Sequence, residues 1–180
     1  MRSIFLSLAT ALTLASTAPA GAAEYRDRSV PMAVMASLDL NRYLGKWYEI
    51  ARFPNRFEAG CVGVTAEYAL RDDGQINVLN TCRKGTLDGP VERANGSARV
   101  EAPGRLSVTF VPWLPFARGD YWVLYVSPDY DFAVVGNPKG STGWILARKP
   151  QLTAQERAKA NDVLSKNGYD VSQLEEVLQK

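Results

Sequence analysis

Chemistry in this 180-residue chain has to come from carboxylates, phenols and two cysteines, because the sequence contains no histidine. That absence removes the commonest general base, the usual zinc ligand and the commonest proximal haem ligand together. Glu49 and Asp120, the latter beside Tyr121, are the best acid–base candidates left for a small lipid hydrolase or isomerase. No Gly-x-Ser-x-Gly elbow, metal-ligand cluster or phosphate-cradling glycine loop accompanies them. The expectation is a protein that is not an enzyme and that uses neither metal nor cofactor.

The side chains better suited to binding are Tyr68, Asn80, Phe110, Tyr121, Tyr125 and Trp144. Apolar walls with a few polar tips suit an acyl chain whose polar head lies near an opening. The same residues also suit a solid core with incidental hydroxyls, and the residues alone leave both readings open.

These positions fall in short alternating runs. From Cys61 to Leu70 the even positions are Val62, Val64, Ala66, Tyr68 and Leu70, a period of two that marks a strand with one apolar face. Asp72-Asp73-Gly74 then supplies a tight turn, and Gln75 to Arg83 resumes the alternation with Ile76, Val78, Asn80 and Cys82. Lys46–Arg52, Val91–Val100, Arg105–Val111, Asp120–Val126, Asp131–Val135 and Gly143–Arg148 complete a set of eight strands. The inward face is read as Val64, Ala66, Tyr68, Ile76, Val78, Asn80, Leu106, Val108, Phe110, Tyr121, Val123 and Tyr125. Regular short strands joined by turns favour an all-β antiparallel meander that closes into a barrel.

Two helices frame the strands: a short turn over Leu38–Leu44, and a late helix opened by the capping box Thr153-Ala154-Gln155-Glu156 below Pro150. Ala158, Val163 and Leu164 are expected to form its buried stripe, and Gly168 its end, so it packs outside the barrel. At the other extreme, Met1-Arg2, an apolar run from Ile4 to about Ala15 and small residues around Ala18-Pro19-Ala20 read as a signal peptide over residues 1–22. Residues 23–37 read as a flexible N-terminal segment and 38–180 as one domain. A lipoprotein leader would place a cysteine directly after the small residues, and here the first is Cys61, so no covalent lipid anchor is expected. With 21 basic against 19 acidic side chains and no basic run, nucleic acid is not an expected partner.

Cys61 and Cys82 are an even pair in a chain read as exported, which predicts a disulfide. Simple hairpin register opposes it: Cys82 would face Val64, leaving Cys61 roughly 10 Å further along the strand, whereas a bridge needs Cα atoms within about 7 Å. A bulge at Gly63 or a bend at Gly60 closes the gap; without either, two free thiols remain.

The string Tyr43-Leu44-Gly45-Lys46-Trp47-Tyr48-Glu49-Ile50-Ala51-Arg52 resembles the Gly-x-Trp opening strand of the lipocalins. Thr65-Ala66-Glu67-Tyr68, Gly119-Asp120-Tyr121-Trp122-Val123-Leu124-Tyr125 and Gly143-Trp144-Ile145-Leu146-Ala147-Arg148 follow in the family's order, and the resemblance runs from about Leu38 to Leu174. The chain is similar to outer-membrane bacterial lipocalins, plant temperature-induced lipocalins and apolipoprotein D. The resemblance implies an eight-stranded up-and-down calycin barrel with one C-terminal helix outside. It implies that Gly45, Trp47 and Arg148 plug the narrow end, with the guanidinium across the indole. It also implies a fatty acid or lysophospholipid as cargo, in the bacterial cell envelope, for membrane maintenance. A pigment or haem-like ligand, or a filled barrel serving as a structural envelope protein, are the alternative readings.

Trp113-Leu114-Pro115-Phe116 places an apolar stretch between strands, where Trp and Phe are costly to leave in water. Docking on the outer membrane, lining the barrel mouth and pairing with a second copy as a homodimer are the three uses open to it. The expected location is the periplasm, in peripheral contact with the outer membrane. N-terminal sequencing of the chain after expression in a bacterial host is expected to begin at Gly21 or Ala23; recovery of an intact Met1 end from the exported fraction would refute the leader.

Overall fold

The computed structural model describes residues 24–114 and 116–180, so the leader read at 1–22 lies outside the described residues. A one-turn helix α1 (Leu40–Tyr43) leads into strands β1 (Gly45–Arg52), β2 (Cys61–Leu70), β3 (Ile76–Lys84), β4 (Val91–Ala102), β5 (Arg105–Thr109), β6 (Gly119–Val126), β7 (Phe132–Gly136) and β8 (Gly143–Ala147). Helix α2 (Ala154–Lys166) and a short strand β9 (Glu175–Glu176) follow. Each of β1 to β7 pairs antiparallel with the next, and β1 pairs with both β2 and β8, which closes the eight-stranded up-and-down barrel.

Closure is completed by the C-terminal segment. β1 pairs with β2 only over Gly45–Tyr48; beyond that the strands diverge and β9 lies against Ala51 and Arg52. The Gly63 amide donates to Leu178 O at 2.7 Å, and the Gln179 side-chain amide donates to the carbonyls of Glu49 and Val64. Backbone groups left free by the divergence thus find partners, as buried polar groups require.

Side chains sort into two clusters on either side of the wall. Trp47, Tyr68, Ile76, Val78, Ala98, Leu106, Val123, Val135 and Leu146 pack inside the barrel. Ile50, Leu124, Phe132, Val134 and Ile145 pack outside, against Ala160, Val163 and Leu164 of α2. Burying a Val or Leu of this kind contributes roughly 1.5–3 kcal/mol. The helix carries the expected capping box, with Thr153 Oγ1 accepting from the Glu156 amide and Glu156 accepting from the Thr153 amide. Its buried alanine is Ala160 and not Ala158, which is exposed. Alanine is a weak marker of a buried face, and Ala160 is the one that shares a face with Val163 and Leu164 at i+3 and i+4.

Residues 24–37, read from sequence as flexible, run along the barrel in a hydrogen-bonded path. Tyr25 N donates to Gly140 O, Asp27 N to Gly168 O, Ala33 N to Asn167 Oδ1 and Met35 N to Val123 O. Tyr25 stacks on Phe53, which stacks in turn on Tyr169, each pair with ring centroids 5.0 Å apart.

Register shifts in β2 and β6 decide which of their residues face inward. In β2 the register shifts between Val62 and Thr65, where Gly63 takes a φ of +57° that a β-carbon would strain. That bulge removes the gap between the cysteines, and Cys61 and Cys82 form a disulfide with Cα atoms 5.5 Å apart. In β6 the register shifts between Val123 and Tyr125. As a result Tyr125 joins Leu124 on the outer side, against Phe132 and under the Lys159 ammonium, which corrects its assignment to the interior. Simple alternation has no means of registering the extra residue. The disulfide joins residues 21 apart, so Cys61→Ser with Cys82→Ser is expected to cost about 3 kcal/mol in urea-induced unfolding; a stability unchanged by the double substitution would refute its contribution.

Candidate functional site

The interior is built from the closed end upward. Trp47 is fully buried on β1, its Nε1–H donates to Tyr43 O at 2.7 Å, and the Arg148 guanidinium lies 3.8 Å from its ring centroid. Arg148 donates to the carbonyls of Arg42, Lys46 and Leu44 at 2.6 to 2.8 Å. Gly45 has a φ of +87°, and a β-carbon there would sit 3.6 Å from Arg148 Nη1. Burial pushes the Arg148 guanidinium below its ordinary value, partly offset by Tyr43 and Asp131. A cation over an indole is favourable by roughly 0.5–2 kcal/mol, and the three carbonyls hold it there.

Above this floor three phenols meet. Tyr121 Oη lies 2.8 Å from Tyr43 Oη and 3.0 Å from Tyr68 Oη. Tyr121 also stacks with Trp144, ring centroids 6.3 Å apart, and meets Tyr68 edge-on at 6.2 Å. Burial pushes all three phenols up, Tyr68 to about 12, so each stays protonated across the physiological range. The structure therefore brings together Tyr68, Tyr121 and Trp144 of the sequence-predicted set. Asn80 lies on the same inward face by register, opposite Ala66, which is itself opposite Trp47. Phe110 lies beyond the end of β5, 41% exposed, with its ring close over Gly96. Tyr125 is outside the barrel.

Nearer the mouth lies a polar group that sequence reasoning missed. Glu49 is buried and accepts from Arg52 Nη1 at 3.0 Å, while Arg52 Nη2 donates to Cys61 O at 3.1 Å. Glu58, from the β1–β2 loop, accepts from Trp144 Nε1 at 3.0 Å and from Asn55 Nδ2. Residues three apart on a regular strand face opposite ways. The shift in β1 between Glu49 and Ala51 turns Glu49 and Arg52 to one side. No signal in the sequence marks that shift. Glu49 had been considered only as a catalytic acid, without the neighbours that define its setting.

The Glu49 carboxyl is held well above its ordinary value, first by burial and then by the Glu58 carboxyl, with Arg52 opposing. Two surface clefts are separate from all of this: about 500 Å³ between the N-terminal segment and the end of α2, and about 450 Å³ between Ile50, Leu152 and Val177. Both are open to solvent, and neither is lined by the inner cluster of the barrel.

A closed meander with an apolar interior, an outer helix and a Trp–Arg floor defines a small-ligand-binding barrel. The family profile described as a lipocalin-like domain matches residues 38–179, and the chain belongs to the lipocalin family, whose members bind small hydrophobic ligands. It is 38% identical to temperature-induced lipocalin-1 of Arabidopsis thaliana over 150 residues, covering 79% of this chain and 80% of the relative. It is 38% identical to the outer membrane lipoprotein Blc of Escherichia coli K12 over 146 residues, with the same coverages. Mouse (Mus musculus) apolipoprotein D is 34% identical over 153 residues, covering 78% of this chain and 77% of the relative. Among solved structures, insecticyanin of the tobacco hornworm Manduca sexta superposes with a TM-score of 0.64 at 19% identity, covering 83% of this chain and 85% of that one. This last likeness concerns the fold.

A raised carboxyl affinity for protons carries a sign. Glu49 is protonated more readily folded than unfolded, so its contribution favours the fold fully below the unfolded value and is lost as pH rises from there through the folded value. Glu58→Gln removes the neighbouring negative charge and should lower the folded value. Urea midpoints at about pH 5 and pH 7 are expected to show a smaller loss of stability on raising the pH in the variant than in the parent; an unchanged difference would show that the two carboxyls are uncoupled.

Proposed function

We propose that this lipocalin binds, stores or carries a single-chain lipid, a fatty acid or lysophospholipid, in the bacterial cell envelope for membrane maintenance, without catalysis. The observation that carries the reading is that inward-facing side chains are not sealed against one another. Ala66, Val108, Tyr121 and Trp144 remain only partly buried against the inner cluster, and Ala94, beside Asn80, is exposed. A solid core would leave such residues with little accessible surface. Transfer of a hydrocarbon chain onto these walls is favourable by about 25 cal/mol per Å² buried, less the cost of ordering it.

In this reading Tyr68, Asn80, Tyr121 and Trp144 contact the ligand, Phe110 lies at the mouth, and Gly45, Trp47 and Arg148 plug the narrow end. Export to the periplasm fits the leader-like sequence, and the name of the Escherichia coli relative, an outer membrane lipoprotein, supports an envelope location. Contact with a membrane is supported by Trp113 at 74% exposure, Phe116 at 83% and Phe57 at 75%. Their loops, β5–β6 and β1–β2, fall at one end of the barrel because alternate turns of an up-and-down meander do so. Phe57 had no place in the sequence reading.

Solvent extraction of the purified chain, followed by mass spectrometry, is expected to release a single-chain lipid in near-stoichiometric amount. Ala98→Trp, which fills the interior, should weaken binding of a fluorescent fatty-acid probe by about tenfold or more. A chain that carries no lipid and binds no probe would overturn the carrier reading in favour of a filled structural barrel.

A further inference from the structure

We infer, resting on the lipid-binding reading, that the barrel docks mouth-first on an anionic phospholipid bilayer and exchanges its ligand with that bilayer during contact instead of through water. The orientation follows from where the exposed aromatics lie. Phe57 stands in the β1–β2 loop and Trp113 and Phe116 in the β5–β6 loop, all highly exposed. In the closed ring of strands these two loops are half a circuit apart, so they face each other across the opening. Between them, in the β3–β4 turn, Pro90 and Val91 are exposed as well. A flat apolar medium that receives both aromatic loops at once must lie across the mouth. The β5–β6 loop is held in place, with Leu114 N donating to Val111 O, Ala117 N to Leu114 O and Val111 N to Thr109 Oγ1. Its aromatics are therefore presented outward by hydrogen-bonded turns, where water is a poor neighbour for them. At a bilayer surface an indole sits favourably, its ring among the acyl chains and its N–H toward the headgroups.

Charge decides which surface that is. On the mouth-side loops and the strand ends that flank them, Arg56, Arg83, Arg93, Arg118 and Lys139 make no ion pair among the described residues. Arg118, at the foot of the aromatic loop, is anchored by donating to Ser107 O at 2.7 Å. The acids of the same rim are mostly engaged: Glu58 accepts from Trp144 Nε1, Asp88 pairs with Lys180 at 2.8 Å and Glu92 with Lys84 at 3.7 Å. Asp120 stands alone against the cations. A second copy docked mouth to mouth would set these cations against their own kind, which opposes association. Anionic headgroups supply the complementary charge, and long basic side chains reach phosphates while the aromatics enter more deeply. Docked in this way, the opening meets the acyl region. A lipid tail then passes between bilayer and barrel without exposing its methylenes to water, which is the main cost of leaving either compartment.

Flotation of the full chain with vesicles of phosphatidylcholine, pure or mixed with phosphatidylglycerol, is expected to show partition onto the mixed vesicles about tenfold higher. Arg56→Gln with Lys139→Gln should cut that preference to about threefold or less, and Trp113→Ser with Phe116→Ser should weaken partition onto both compositions by about tenfold. All four positions are exposed, so both double variants are expected to fold and to bind a fluorescent fatty-acid probe in solution as the parent does. Stopped-flow transfer of bound probe to mixed vesicles should accelerate in proportion to vesicle concentration for the parent, and become slow and independent of it for the aromatic variant. A parent rate that ignores vesicle concentration, or a parent that floats with neither composition, would overturn contact exchange, while probe binding in solution would leave the carrier reading standing. Equal partition onto the two compositions would refute the anionic surface as the partner. Self-association lost in the aromatic variant, with no vesicle binding, would give the face to a second copy instead. A parent that binds no probe in solution would overturn the carrier reading and the exchange with it, and flotation would still decide the docking.

Discussion

Strand β1 is hydrogen-bonded on both edges, to β8 along one side and to β2 and then β9 along the other, and the barrel exists because of this double engagement. An open sheet of these strands would present free edges for association with other chains. Closing it curls one apolar face onto itself and leaves the other to be covered by α2. Because β1 and β2 separate toward the mouth, the wall is completed only when the C-terminal segment returns to fill the seam, with Gln179 bridging the two strands. The opening strand and the last residues of the domain are therefore parts of one structural unit despite their distance in sequence.

The same strand carries the buried ion pair of the interior. Its lower half turns Trp47 inward to meet Arg148, and its upper half, through a local shift in register, turns Glu49 and Arg52 inward together. A buried ion pair is weak evidence for stability, since desolvation opposes the attraction. Its interest lies in what surrounds it: a second carboxyl from the β1–β2 loop, an indole donor from β8 and a layer of phenols beneath. The interior is thus graded, from an aromatic floor around Trp47 to a charged zone around Glu49, Arg52 and Glu58.

Much of the fold was legible because each local signal agreed with its neighbours. Alternation located β2, β3 and β6, turn residues separated them, and the Thr153–Glu156 box marked the start of α2. Errors came where one residue was inserted into a strand. Tyr125 was read inward because alternation was carried through a position where the backbone slips. The cysteine pairing stayed open until the shift at Gly63 was seen. Ala158 was chosen over Ala160 because alanine contributes little to a hydrophobic pattern. Of the residues read as ligand contacts, Tyr68, Tyr121 and Trp144 do meet in space, whereas Arg52 and Glu58 escaped notice because charged side chains normally signal solvent.

Sequence alone determined the period of the strands, the placement of turns and caps, the lack of histidine chemistry and, through the Gly45–Arg52 string, the family. These are local or compositional properties, set by which residues adjoin one another. Tertiary structure decided which of the alternating faces is interior after each bulge, that the two cysteines meet, that residues 24–37 are bound to the wall, and that two carboxyls share one enclosure with a single arginine. Those outcomes depend on register between strands far apart in the chain, and a shift of one residue reverses the face without altering the local pattern.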